Sequence, residues 1–243
     1  MKELYILANG VMADALSSGL KDDYAVSIVG RSKEKLAPFA KKGFKTLLYD
    51  EFNADDKDII LAFKPQALNE IEIQGRARLL ISILANKTFS DLNLIKAQNY
   101  VLAMPNIAAK YKASTTPFVS LNSSYKDELL AILNAFGKAF ELENEKQMNA
   151  AMAISGCSPA FLAIVAESIA GGGVYEGLKK DLSFALTQSL FESFCALLKH
   201  EHPAFIKEQI CSPAGVTIKG VKILEEKAVR SAFFEALSTS TKR

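Results

Sequence analysis

Residues 4–7 form an apolar run, Leu4-Tyr5-Ile6-Leu7, that leads straight into Ala8-Asn9-Gly10-Val11-Met12-Ala13. A helical pattern follows to Leu20, and a second apolar run, Ala25 to Val29, closes on Gly30-Arg31-Ser32. Strand, small-residue turn, helix and second strand is the order that a dinucleotide-binding βαβ unit needs. Gly10 lets backbone approach a pyrophosphate, and the helix start offers free N–H groups and the positive end of a dipole. The first glycine of the usual Gly-x-Gly-x-x-Gly/Ala pattern is Ala8 here, so the turn by itself also suits an ordinary strand-to-helix joint.

The alternation continues well past this unit. Strands are expected at 3–7, 25–29, 45–49, 58–63, 79–84 and 100–103, with further edge strands at 115–121 and 140–142. Helices are expected at 11–20, 33–42, 89–98 and 125–136. Runs such as Ile59-Ile60-Leu61-Ala62-Phe63 are apolar throughout, as in parallel strands buried on both faces. The reading is an α/β chain: a Rossmann-type doubly wound sheet over 1–144, followed by an all-helical domain over 145–243. In the second part helices are expected at 145–154, 159–171, 180–199, 203–209, 216–226 and 228–241. The 180–199 segment is apolar around much of its circumference, with Leu190, Phe191 and Phe194 adjacent. Such a helix needs partners on several sides, either in a second subunit or as the centre of a monomeric bundle.

Composition removes several function classes. A net charge of +2 gives no electrostatic case for nucleic acid. No stretch reaches the roughly 18 uninterrupted apolar residues of a membrane span. Met1-Lys2-Glu3 and the short run after it lack the apolar segment of a signal peptide, and Cys157, Cys195 and Cys211 are widely spaced and odd in number. A cytoplasmic setting with free thiols is expected. His200 and His202 have no nearby cysteine or acid cluster, so no metal site is expected; they read as a polar helix end before Pro203.

The end of the second strand bears on cofactor choice. An NAD site places Asp or Glu there for the ribose 2′-hydroxyl, whereas this chain has Arg31 and Ser32. A guanidinium fork and a hydroxyl suit a 2′-phosphate, which favours NADPH with NADH as the alternative donor. The competing reading makes Ser32 the N-cap of the next helix and leaves Arg31 solvated.

Taken end to end, the order of motifs resembles the pyrroline-5-carboxylate reductase family. Ile6 to Leu20 is similar to that family's glycine-turn segment, including Met12-Ala13. Phe63-Lys64-Pro65 resembles Val-Lys-Pro beside the cofactor, Ile81-Ser82-Ile83-Leu84-Ala85 the strand end near the nicotinamide, and Met104-Pro105-Asn106 the family's Met-Pro-Asn. Ser155-Gly156-Cys157-Ser158-Pro159-Ala160-Phe161 resembles Ser-Gly-Ser-Gly-Pro-Ala-Tyr. Ser212-Pro213-Ala214-Gly215-Val216-Thr217 resembles the substrate loop Ser-Pro-Gly-Gly-Thr-Thr, and Thr241-Lys242-Arg243 fits the family's end.

The resemblance implies an N-terminal dinucleotide domain, a helical dimerisation domain, and homodimers with interlocked helices, sometimes assembled into larger rings. It implies reduction of 1-pyrroline-5-carboxylate to L-proline with a reduced nicotinamide. The cofactor would meet Ala8, Gly10, Val11, Met12, Arg31, Ser32, Phe63, Lys64, Pro65, Ala85 and Asn106. The substrate would meet Ser212, Ala214, Gly215, Val216 and Thr217, with the Thr217 hydroxyl on the ring nitrogen. Independently of the resemblance, the loop precedes a helix whose first N–H groups can hold a small carboxylate. A protonated cyclic imine already accepts hydride well, so the reaction asks little of acid–base side chains. Departures from the pattern include Ala8, Asn86, Leu102, Cys157, Ser158, Phe161, Ala214 and Val216. Two other readings therefore stand beside the first: a reductase of another cyclic imine or 2-oxo acid, and a dinucleotide-binding protein without catalysis.

Overall fold

The computed structural model describes residues 1–242; Arg243 lies outside the described residues. The first part alternates as β1 (Lys2–Leu7), α1 (Val11–Leu20), β2 (Tyr24–Gly30), α2 (Lys33–Lys41), β3 (Lys45–Leu48), β4 (Asp58–Leu61), β5 (Ala77–Ser82), α3 (Phe89–Leu92) and β6 (Ala97–Ala103). β7 (Ser114–Ser120), α4 (Lys126–Ala135), β8 (Gly137–Glu141) and α5 (Met148–Met152) follow. The eight strands form one sheet in the order β3-β2-β1-β4-β5-β6-β7-β8. Every pairing is parallel except β6 with β7.

Period-two alternation builds a core on each face of this sheet. Leu4, Ile6 and Ala8 join Leu16, Leu20, Phe118 and Phe136 on one side. Tyr5 and Leu7 join Leu61, Leu80, Leu102 and Met148 on the other. Met148 explains why the compact first unit runs from Met1 to Gly156: α5 contributes to the core of the sheet. The second unit, Cys157–Lys242, is wholly helical. It contains α6 (Ser158–Tyr175), α7 (Lys180–Leu198), α8 (Pro203–Ile210), α9 (Val216–Glu226) and α10 (Val229–Thr241).

One helix is much shorter than its sequence pattern. The expected 89–98 segment is helical only over Phe89–Leu92, and β6 begins at Ala97 rather than at residue 100. The Tyr100 hydroxyl accepts from the Ala97 N–H at 3.0 Å and donates to the Ile95 carbonyl at 2.9 Å, which closes a turn. Pairing of Ala77 with Ala97 in the sheet outweighs the local helical preference. His202 accepts from the Ala204 N–H at 3.3 Å and so caps α8, the structural role expected for it.

The helical unit leaves much apolar surface uncovered. Ile164, Leu182, Leu186, Leu190 and Phe194 are all exposed, most of them by about half. The stretch Glu145–Tyr175 is long and apolar enough to cross a membrane by length and composition, and only 17% of its most apolar window is buried.

Close packing fixes α1 at a glycine. A Cβ on Gly19 would stand 2.2 Å from the Ala109 carbonyl oxygen and 3.0 Å from the Phe136 Cβ. Alanine in a helix interior normally gains about 1 kcal/mol over glycine, but a collision with backbone costs about 1–3 kcal/mol or more. Gly19→Ala is therefore expected to destabilise the first unit by about 1–2 kcal/mol in urea unfolding, reversing the sign of the helix propensity.

Candidate active site

Sheet order reverses between β1 and β4, and in doubly wound sheets ligands bind beyond the carboxyl ends at that point. The register makes these ends level. Leu7 lies beside Val29 and Leu61, Leu61 beside Ser82, and Ser82 beside Leu102. The segments leaving them carry the residues expected to meet the cofactor: Ala8 to Met12, Arg31-Ser32, Phe63-Lys64-Pro65, Ala85 and Asn106. All stand on one edge of the sheet.

Gly10 is the N-cap of α1, with φ −100° and no side-chain cap. The first helical bond runs from the Asp14 N–H to the Gly10 carbonyl at 3.1 Å, so the N–H groups of Val11, Met12 and Ala13 have no partner within the helix. Neither a positive φ nor crowding requires glycine there, since an added Cβ would meet no described atom within 4 Å. The open face of Gly10 beside three N–H groups without a helical partner has the donors and the room that a dinucleotide's phosphate needs. Ala8 does not disturb this, because its methyl is buried in the sheet core.

At the end of β2, Arg31 Nη2 pairs with Glu70 Oε2 at 3.1 Å. Ser32 caps α2, its Oγ accepting from the Lys35 N–H at 3.4 Å. Its hydroxyl proton is left to donate, so capping and phosphate binding are compatible. Burial pushes the nearby Tyr49 hydroxyl up to about 12, with the positive charge of Arg31 pulling the other way.

Asn106 is tied on three sides. Its N–H donates to Ser114 Oγ at 3.0 Å, its Oδ1 accepts from the Ala108 N–H at 3.1 Å, and its Nδ2 donates to the Ser155 carbonyl at 2.8 Å. Ser155 Oγ in turn donates to the Met104 carbonyl at 3.3 Å. Ser155 sits in a π-helical turn, Ala153–Cys157, a wide turn that recurs at functional sites. The side chain of Asn106 thus holds the end of β6 against the π turn. Ser155 and Ser114 were not among the expected site residues; the Ser155-Gly156 motif signalled the first, and nothing local signalled the second. Asn86 has φ +58°, a left-handed backbone that asparagine tolerates better than most residues.

In the helical unit, Ser212-Pro213-Ala214-Gly215 makes a turn closed by the Gly215 N–H on the Ser212 carbonyl at 3.1 Å. Ala214 is left-handed, φ +59°, at a position where glycine is favoured. A Cβ on Gly215 would lie 2.3 Å from Ser212 Oγ and 3.1 Å from the Ser212 carbonyl oxygen, so a side chain there would turn the Ser212 hydroxyl away. Gly215 caps α9 without a side chain, and Val216 and Thr217 in the first turn are exposed. Ala214→Gly is expected to raise stability by about 1 kcal/mol, read as a higher denaturation midpoint of the helical unit.

A pyrroline-5-carboxylate reductase of Helicobacter pylori is 36% identical over 254 aligned residues, covering 100% of this chain and 99% of its own. The chain belongs to the pyrroline-5-carboxylate reductase family. The reductase of Thermus thermophilus is 31% identical and covers 98% of this chain and 93% of its own. The crystal structure of Plasmodium falciparum pyrroline carboxylate reductase with NADP bound superposes with a TM-score of 0.83 at 26% identity, covering 98% of this chain and 96% of that one. Residues 145–243 match the family model described as pyrroline-5-carboxylate reductase dimerisation. The apolar faces of α6 and α7 belong to this dimerisation region of the reductase.

Proposed function

We propose that this protein reduces 1-pyrroline-5-carboxylate to L-proline with NADPH, NADH being the alternative donor. The carrying observation is the open face of Gly10 at the reversal point of the sheet, in a chain related over its whole length to the reductases. Bound there, the reduced nicotinamide supplies the hydride.

The side chains and backbone of this protein do the rest. The start of α1 takes the pyrophosphate, and Arg31 with the Ser32 hydroxyl takes the 2′-phosphate. Phe63-Lys64-Pro65 and Ala85 line the edge beyond β4 and β5, and Asn106 fixes the edge beyond β6. The start of α9, with Ser212, Ala214, Gly215 and Val216 leading into Thr217, grips the carboxylate of the imine. The Thr217 hydroxyl bonds the ring nitrogen, which keeps its proton while hydride adds to the adjacent carbon. The reaction then asks of the protein that the imine carbon be held near the hydride donor and that water be kept out.

The active form is a homodimer through the helical unit, and rings of dimers are the larger assembly. The apolar stretch Glu145–Tyr175 is a subunit interface rather than a bilayer anchor, since it falls within the region matched to the dimerisation model. The enzyme works in the cytoplasm on a small molecule, and its net charge of +2 gives no electrostatic case for nucleic acid. The test is NADPH oxidation with pyrroline-5-carboxylate beside piperideine carboxylate, with proline quantified. Stoichiometric proline and a preference for the five-membered ring are expected. A preference for the six-membered ring selects the other-imine reading, and tight NADPH binding without turnover selects the non-catalytic one.

A further inference from the structure

We propose that Glu70 sets the choice between NADPH and NADH, deepening the reading of Arg31 as the 2′-phosphate clamp on which it rests. A Rossmann site that takes NAD carries its ribose acid at the end of the second strand, and β2 of this chain ends in Gly30-Arg31-Ser32. The carboxylate comes instead from another element. Glu70 closes the 3₁₀ turn Pro65–Glu70 after β4, and Leu68 anchors that turn in the core at 1% exposure. From there Glu70 Oε2 reaches across 39 residues of sequence to Arg31 Nη2 at 3.1 Å. A cation and an anion thus share the place where the cofactors differ.

The two dinucleotides ask opposite things of this pair. A 2′-phosphate is attracted by Arg31, repelled by Glu70, and must draw the guanidinium away from its carboxylate. A 2′-hydroxyl donates a hydrogen bond to Glu70, as it would to the usual acid. Glu70 therefore restrains NADPH and supports NADH, and the ratio between them is held down by one carboxylate. Both side chains are more than half exposed, at 53% and 64%, so substituting either leaves the core intact.

Calorimetric titration with adenosine 2′,5′-bisphosphate and adenosine 5′-monophosphate tests this on the purified protein without turnover. Glu70→Gln is expected to tighten the bisphosphate by about three- to tenfold and to weaken the monophosphate by a similar factor, the range open to one exposed charge pair. The ratio of KM values for NADH and NADPH should move the same way. Arg31→Ala should weaken the bisphosphate by about tenfold or more and the monophosphate by less than about twofold. Selective loss in Arg31→Ala with equal or no shifts in Glu70→Gln overturns the role of Glu70 and leaves the clamp standing. Equal losses of both ligands in Arg31→Ala overturn the clamp, and the proposal with it.

Discussion

Gly10→Ala is expected to leave the melting temperature within about 2 °C of wild type while weakening NADPH binding by about ten- to a hundredfold. The stability side follows from three small terms. Alanine at an N-cap costs under about 1 kcal/mol relative to glycine, and the lower entropy of the unfolded chain returns about 0.4–1 kcal/mol. No steric term enters, because the new methyl meets no described atom within 4 Å and φ −100° suits any residue. The binding side follows from what the methyl displaces. A phosphate that can no longer reach one of the free N–H groups of α1 loses a charge-assisted hydrogen bond of about 1.5–3 kcal/mol. Equilibrium titration of NADPH beside thermal melts separates the two quantities. A parallel fall in both would show that Gly10 serves packing, and unchanged binding would remove the start of α1 from the cofactor site.

Thr217→Val is expected to lower kcat/KM for the imine by about ten- to a hundredfold, with the dissociation constant of NADPH unchanged. Valine keeps the shape of threonine and removes only the hydroxyl. Thr217 is exposed in the first turn of α9, so the helix and the unit around it should keep their stability. In the proposed site the carboxylate keeps the backbone N–H groups of α9, which is why activity should fall rather than vanish. Thr217→Ala should give the same result, and wild-type kinetics in both variants would exclude the hydroxyl from the reaction.

The doubly wound sheet was legible because its strands are continuous apolar runs and its turns carry small residues. α1 and α9 fall on their expected bounds, 11–20 and 216–226. The failure at α3 has a physical cause: a tyrosine hydroxyl and a strand pairing, both distant from any helical periodicity, end the helix at Leu92. The motifs expected to meet the cofactor were legible separately, since each follows one of the mutually parallel strands β1, β2, β4, β5 and β6. What joins them was not. The Arg31–Glu70 pair and the Asn106–Ser155 bond span 39 and 49 residues, and no local spacing encodes such contacts. Ala214 was visible only as a departure from a glycine; in the folded chain it is left-handed, at φ +59°.

Isotope transfer tests the central claim most directly. With NADPH deuterated at both C4 positions of the nicotinamide, the enzyme should convert pyrroline-5-carboxylate to proline carrying one deuterium, on the ring carbon next to nitrogen and remote from the carboxylate. Unlabelled proline, label at another carbon, or NADPH consumed without proline would contradict direct hydride delivery to the imine.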